Sequence, residues 1–336
     1  MPIFASKPLQ LGSVSIERTA ALAPMASVAD KAYRYMCKKY GAALVIGEMA
    51  SAKGLCYSDR KTAELLEVTA EEFPMAVQLF GSEPEFMAKA CRIAAKFEPQ
   101  FIDINMGCPV HKVVTTGSGS ALMRTPELAR DIVKACVDAV DLPITVKIRK
   151  GFDDQTCNAV EFAQMMEEAG ASMITVHGRT RKQMYQPPVD IDIITRVKQA
   201  VSVPVVGNGD ITDPVSAKEM YEKTGCDLIM IGRGSYGRPW IFEEVSSYLK
   251  DGILPKEKSL EEKMEIMLEH ISLICSFKGE KMAMREARKH ASWYLKGVHH
   301  AARFRNLCAS LETFEDIRQL AQQVLQVNRE MEEPRP

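Results

Sequence analysis

Up to about residue 250 the chain alternates short apolar runs with longer amphipathic ones, eight times over. The apolar runs read as strands: Ala20–Leu22, Ala43–Ile46, Met75–Leu79, Phe101–Ile104, Ile144–Ile148, Met173–Val176, Val203–Val206 and Leu228–Ile231. Between them lie segments with helical periodicity, such as Glu85–Phe97, Pro126–Val140, Ala159–Ala169, Ile191–Ala200 and Pro214–Lys223. Eight βα units in this length predict an α/β fold of the (β/α)8 TIM barrel type, since a doubly wound open sheet usually has fewer strands. A hairpin around Gly12-Ser13 is expected to close the bottom of that barrel.

The residues just beyond each strand carry the chemistry. In this fold all eight strand-to-helix loops converge on one mouth, so polar groups at the C-terminal strand ends read as functional. The first strand leads into Pro24-Met25 and the second into Gly47-Glu48-Met49. The third ends in Gln78, and the fourth is followed by Asn105-Met106-Gly107-Cys108-Pro109. The fifth carries Lys147 and Arg149, the sixth His177-Gly178-Arg179, the seventh Asn208-Gly209-Asp210 and the eighth Gly232-Arg233-Gly234. Cys108 therefore sits where a reactive thiol belongs, although a buried structural cysteine reads the same way in isolation. The last two loops occupy the recurrent phosphate site of this fold, and Arg233 would add a guanidinium. Gly232 to Gly237 matches G-x-G-x-x-G, but it follows the last strand rather than opening the first βαβ unit, so a dinucleotide fold is rejected.

Beyond residue 250 the pattern is wholly helical, over Leu260–Phe277, Lys281–Leu295 and Leu311–Glu332, which predicts a small all-helical C-terminal domain spanning 251–336. From Met282 to Cys308 there are six Lys/Arg (Arg285 and Arg288 among them) against one acid, with Trp293, Tyr294 and Phe304 interleaved. Within a chain of net charge −1, such an island is the footprint of a phosphate-backbone contact, or else a solvated helix face. The nine cysteines are odd in number and form no C-x-x-C pair, so free thiols in a reducing compartment are expected, with no zinc site. No apolar run is long enough to span a membrane, and no basic-then-apolar leader is visible, so a cytoplasmic protein is expected. No pairing surface stands out, which favours a monomer.

In this order the motifs resemble the tRNA-dihydrouridine synthase family, in its bacterial branch. They are Ala23-Pro24-Met25, Asp103-Ile104-Asn105-Met106-Gly107-Cys108-Pro109, Gly119-Ser120-Ala121-Leu122, Lys147-Ile148-Arg149, His177-Gly178-Arg179-Thr180-Arg181, Asn208-Gly209-Asp210 and Gly232-Arg233. The resemblance implies an FMN-binding barrel and NADPH-driven reduction of the C5=C6 bond of particular uridines in tRNA. It implies that Pro24, Met25 and Gln78 contact the isoalloxazine, with Lys147 at its N1/O2 edge and His177 near the ring. Asn208, Gly209, Asp210, Gly232 and Arg233 would hold the ribityl phosphate. Asn105 and Cys108 would face the uracil, with Cys108 as general acid, and Arg149 and Arg179 would contact substrate or phosphate. Arg285 and Arg288 would meet tRNA. The loop His111–Gly119 reads as a mobile lid. Ser27 departs from the glycine common at its position, and Val110-His111 from the usual Ala-Lys. The rival readings are a flavin barrel acting on a small molecule, dihydrouridine synthesis on ribosomal RNA, and a non-catalytic RNA-binding barrel.

Overall fold

The structure, a computed structural model, describes residues 7–332. In chain order the strands are β1 (Leu9–Leu11), β2 (Val14–Ile16), β3 (Ala20–Leu22), β4 (Leu44–Ser51), β5 (Met75–Phe80), β6 (Phe101–Met106), β7 (Ile144–Gly151), β8 (Met173–Thr180), β9 (Val205–Asn208) and β10 (Leu228–Ile231). Strands β3 to β10 close into a barrel in which every pairing is parallel, with β10 returning to β3. The helices are α1 (Lys31–Lys39), α2 (Ala52–Cys56), α3 (Arg60–Glu64), α4 (Pro84–Ala94), α5 (His111–Val114), α6 (Pro126–Val137), α7 (Ala159–Glu168), α8 (Ile191–Ala200), α9 (Pro214–Thr224), α10 (Ile241–Asp251), α11 (Leu260–Lys278), α12 (Glu280–Tyr294), α13 (Ala301–Cys308) and α14 (Phe314–Glu332).

Side chains alternate across a strand, and that alternation sorts the barrel into layers. Ile102, Ile104, Val146, Ile148, Ile174 and Val176 face outward into the helix-covered core. Phe101, Met173, Val206, Leu228 and Leu44 face inward and are joined by Leu9, Leu11 and Ile16 of the antiparallel β1–β2 hairpin. The hairpin thus plugs the N-terminal end with apolar atoms, as expected. Its turn at Gly12 has φ +58, and an added Cβ there would press on Pro143 at 3.1 Å, just before β7.

Two strands, β3 and β10, match their sequence-predicted bounds. The others run one to five residues further at their C-terminal ends, so that Asn105, Arg149, His177 and Arg179 lie within strands rather than after them. The structure also contains α1, α10 and α13, which the sequence periodicity does not announce. Helices α11 to α14 form their own apolar cluster, yet it includes Met36 of α1 and Trp240 from the barrel side. Conversely Trp293 of α12 packs against the barrel core. The helical part is therefore seated on the barrel through shared side chains.

Candidate active site

The inward positions nearest the mouth are polar. Register pairs Gln78 with Asp103 and Asp103 with Thr145; one step higher, Asn105 pairs with Lys147 and Lys147 with Thr175; above that come Arg149, His177 and Asn208. The upper members of these layers line a cavity of about 580 Å³ at the C-terminal ends of the strands, together with Pro24, Met25, Cys108, Arg179, Gly209, Asp210, Gly232 and Arg233. Every barrel residue predicted to be functional is in its wall. Arg285 and Arg288 are not.

A buried hydrogen-bond chain fixes the turn that presents Cys108. The Oδ1 of Asn105 accepts from the backbone N–H of Gly107 at 3.2 Å and of Cys108 at 2.9 Å. That orients its amide, so its Nδ2 donates to Gln78 Oε1 at 2.9 Å. Gln78 Nε2 in turn donates to Asp103 at 2.7 Å, and the Thr145 hydroxyl donates to the other Asp103 oxygen at 2.6 Å. The Cys108 carbonyl accepts from the Ser120 hydroxyl at 2.8 Å. Burial pushes the Cys108 thiol up from its ordinary value, against opposing pulls from the Val110 N–H and Arg149. It is a protonated thiol at neutral pH.

The cavity's charge is lopsided. Lys147, Arg149, Arg179 and Arg233 line it against a single carboxylate, Asp210. Lys147 Nζ donates to Asn208 Oδ1 at 2.9 Å, and burial, aided by Arg149, pulls its pKa down to about 7. His177 is pushed well below its ordinary value by burial and then by Lys147, Arg149, Arg179 and Arg233, so its ring is neutral. Arg149 directs its donors to the carbonyls of Gly107, Thr180 and Met184. Arg179 is 1% exposed and pairs with Asp210 and the Gln186 carbonyl. Both arginines therefore brace loops β6–α6 and β8–α8 around the site. Arg233 is exposed, lies 3.8 Å from Asp210, and stacks its guanidinium 4.4 Å over the Tyr185 ring.

The segment expected to act as a lid, His111–Gly119, begins as α5, and Ser82 Oγ donates to its Thr116 carbonyl at 2.8 Å. His111 stands exposed on it. The structure adds aromatic walls that the sequence motifs do not include. Tyr236 lines the cavity and stacks on Trp293 at 4.1 Å, 15° from parallel. The only signal pointing to it is its place inside the Gly234–Gly237 spacing, where the glycines draw the eye. The departure at Ser27 acquires a geometric meaning: its φ is +60, the left-handed region that favours glycine. Its backbone is held by Glu48 on one side and Lys289 of α12 on the other.

In the basic island, Arg285 is exposed, but Arg288 is half-buried and its Nε donates to the Leu311 carbonyl at 3.0 Å. Lys289 is engaged with Ser27, and His290 is buried against His270 and Trp293. Among the described residues no cluster of His, Cys, Asp and Glu could hold a metal, and no helix is long and apolar enough to cross a membrane.

Against known proteins, the family model for dihydrouridine synthase (Dus) matches residues 21–330. The tRNA-dihydrouridine synthase B of Vibrio vulnificus (strain CMCP6) is 41% identical over 297 residues, 88% of this chain and 92% of its own. That of Pseudomonas aeruginosa is 41% identical over 297 residues, 88% of this chain and 90% of its own. Among solved structures, an old yellow enzyme homologue from Zymomonas mobilis aligns with TM-score 0.52 at 15% identity, covering 75% of this chain and 94% of that one. A 6-hydroxypseudooxynicotine amine oxidase from Pseudomonas geniculata N1 aligns with TM-score 0.59 at 15% identity, covering 97% of this chain and 67% of that one. At such identities the likeness concerns the barrel fold.

Proposed function

Because the chain belongs to the dihydrouridine synthase family, we propose that it reduces the C5=C6 bond of specific uridines in tRNA, with FMN as its flavin and NADPH as electron donor. The observation that carries this reading is the convergence of Cys108, Lys147, His177 and Arg233 on one cavity of about 580 Å³, a size suited to a cofactor with a substrate base beside it. The residues present fit a phosphorylated flavin. Four cations against one carboxylate call for an anionic ligand, and Lys147 has only an amide oxygen as partner.

In this reading Gly209, Gly232 and Arg233 hold the phosphate, Asp210 joins them through its backbone N–H because its carboxylate is taken by Arg179, and Asn208 fixes Lys147. Pro24, Met25 and Gln78 border the ring, Gln78 through a network already closed by Asp103 and Asn105. When bound, the flavin supplies the hydride that no side chain can deliver to uridine C6. Lys147, once charged, stabilises negative charge developing beside it in a water-poor site. Neutral His177 is a hydrogen-bonding wall that adds no competing charge. Cys108 gives its thiol proton to C5, a role that requires the protonated form its burial enforces. Asn105 sets the approach by fixing the backbone before the thiol. A stacked uracil reaches this depth only when extruded from the RNA. Arg149 and Arg179 act on substrate through the loops they brace. The basic stretch Met282–Cys308 of the helical part, with Arg285 foremost, meets tRNA, and a cytoplasmic monomer suits that task.

The test is nucleoside mass spectrometry on tRNA lacking dihydrouridine, incubated with the purified protein, FMN and NADPH. Dihydrouridine at defined positions is the expected result. Turnover of free uracil derivatives but not tRNA would replace this reading with a small-molecule reductase. Activity on ribosomal RNA alone would redirect it.

A further inference from the structure

Arg181 closes the His177–Arg181 motif, yet it takes no part in the cavity wall. It sits at the rim, on the loop after β8, with its guanidinium 5.5 Å from the centroid of Phe152, on the loop after β7. Arg124, from the segment after β6, lies over the same ring at 5.0 Å. Two cations thus share one aromatic platform. By contrast Lys150 near the end of β7, Arg179 of β8 and Lys182 after β8 each have a carboxylate partner, Asp190, Asp210 and Asp153 respectively. Among the described residues neither Arg124 nor Arg181 lies within 4.0 Å of a carboxylate, and the Nε of Arg181 is buried without any hydrogen-bond partner.

The platform is built rather than incidental. Arg181 N–H donates to Gly151 O at 3.0 Å and Lys182 N–H to Phe152 O at 3.1 Å, which locks the ring between two loops. Gly151 must lack a side chain, since a Cβ would lie 2.0 Å from the Thr156 carbonyl oxygen. Asn158 Nδ2 donates to Met123 O at 2.9 Å and so pins the residue before Arg124. Arg124 also ends the segment whose Ser120 holds the Cys108 carbonyl. Stacking on a ring occupies the guanidinium faces and leaves the terminal N–H groups for the two free oxygens of a phosphate.

We propose that Arg124 and Arg181, carried on Phe152, form a clamp for an RNA backbone phosphate beside the extruded nucleotide. This rests on the RNA reading above: a base entering the cavity brings its flanking phosphates to the rim, where Arg124 ends the segment after β6 that also carries Cys108. The clamp supplies registration without reading sequence.

The experiment uses the full-length flavin-loaded protein, labelled tRNA and a salt titration, with Arg124→Gln, Arg181→Gln and the double variant. Glutamine keeps the stem and removes the charge. Each single change is expected to flatten the log K against log salt slope by about 0.7–0.9, and the pair by about twice that. Melting temperature and flavin content stay as in the parent. Phe152→Leu, which leaves both charges but removes the platform, is expected to weaken binding with a smaller change in slope. An unchanged slope in the double variant overturns the clamp, as does a parent protein that binds no tRNA. A defect confined to the KM for NADPH also overturns it, by assigning the cations to the donor's phosphate. Dihydrouridine formation by the parent protein is scored separately and bears only on the proposed function.

Discussion

The barrel mouth and the helical appendage both carry many cations, but they use them differently. At the mouth the charges are gathered around one cavity and outnumber the carboxylates there, so the site calls for an anion. In the appendage two of the six cations of the basic island are absorbed by structure, Arg288 by the Leu311 carbonyl and Lys289 by the Ser27 backbone, while His290 lies in an aromatic cluster. A charge run along a sequence is thus a weak guide to a binding face, whereas charges at converging strand ends are a strong one. The reason is geometric. A barrel fixes where strand ends go before any side chain is considered, while a helix distributes its residues over all its faces.

The largest expected effect lies at the mouth. Cys108→Ala should lower dihydrouridine formation by roughly 10²–10⁴-fold, the usual contribution of a positioned general acid, with flavin content and its reduction by NADPH unchanged. Single-turnover assays separate the two half-reactions. Full activity in this variant would remove the thiol from the chemistry.

The junction between the two regions comes next. Gly237, at φ +62, approaches α12 so closely that a Cβ would lie 2.4 Å from the Trp293 carbonyl carbon. Gly237→Ala is expected to cost about 2–4 kcal/mol by denaturant unfolding, combining backbone strain with steric overlap. Gly297 has φ +87 with nothing within 4 Å of the added atom, so Gly297→Ala should cost only about 1–2 kcal/mol of left-handed strain. Equal losses at the two positions would mean that the contact between barrel and appendage carries no weight.

Lys147 offers a test by pH. Its folded-state pKa of about 7 lies below its ordinary value of 10.5, so the ligand-free protein binds fewer protons than the unfolded chain between these values. Stability of the ligand-free protein should therefore rise as pH climbs from about 7 towards 10.5. An anion in the cavity favours the charged amine, so FMN binding should take up a proton above pH 7 and tighten as pH falls towards that value. Calorimetry in buffers of differing ionisation heat measures the uptake, and Lys147→Met should abolish it. A pH-independent affinity would dissociate the lysine from the anion site.

Legibility in the residues divides along the same line. The eight strands can be read because their outward faces are continuous β-branched and aliphatic runs, as in Ile102/Ile104 and Val146/Ile148. The mouth is legible because polar residues interrupt those runs near each end. Harder to see is the inward alternation within strands: Asp103/Asn105, Thr145/Lys147/Arg149 and Thr175/His177 are period-two sets that already specify stacked polar layers. Helix α1 escapes notice because its buried positions include Arg34, which pairs with the fully buried Glu72 at 2.6 Å and so disguises an apolar face. Tyr185 and Tyr236 are illegible because no local pattern says which loop aromatic meets a distant arginine or tryptophan.

The smallest effect is the sharpest probe of the appendage. Arg285 and Arg288 are about one helical turn apart, and by sequence they are equivalent RNA contacts. By structure they are not, since of the two Arg285 is exposed, with its charge at liberty to meet a phosphate. Arg285→Ala should reduce the salt slope of tRNA binding by about one while leaving stability within about 0.5 kcal/mol. Arg288→Ala should instead lose about 0.5–1.5 kcal/mol of stability with its hydrogen bond to the α13–α14 connection, and leave the salt slope nearly intact. Parallel salt titrations and denaturant melts of the two variants distinguish these outcomes. Equal slopes lost at both positions would return the whole island to RNA binding, and would show that the Leu311 bond yields when a phosphate arrives.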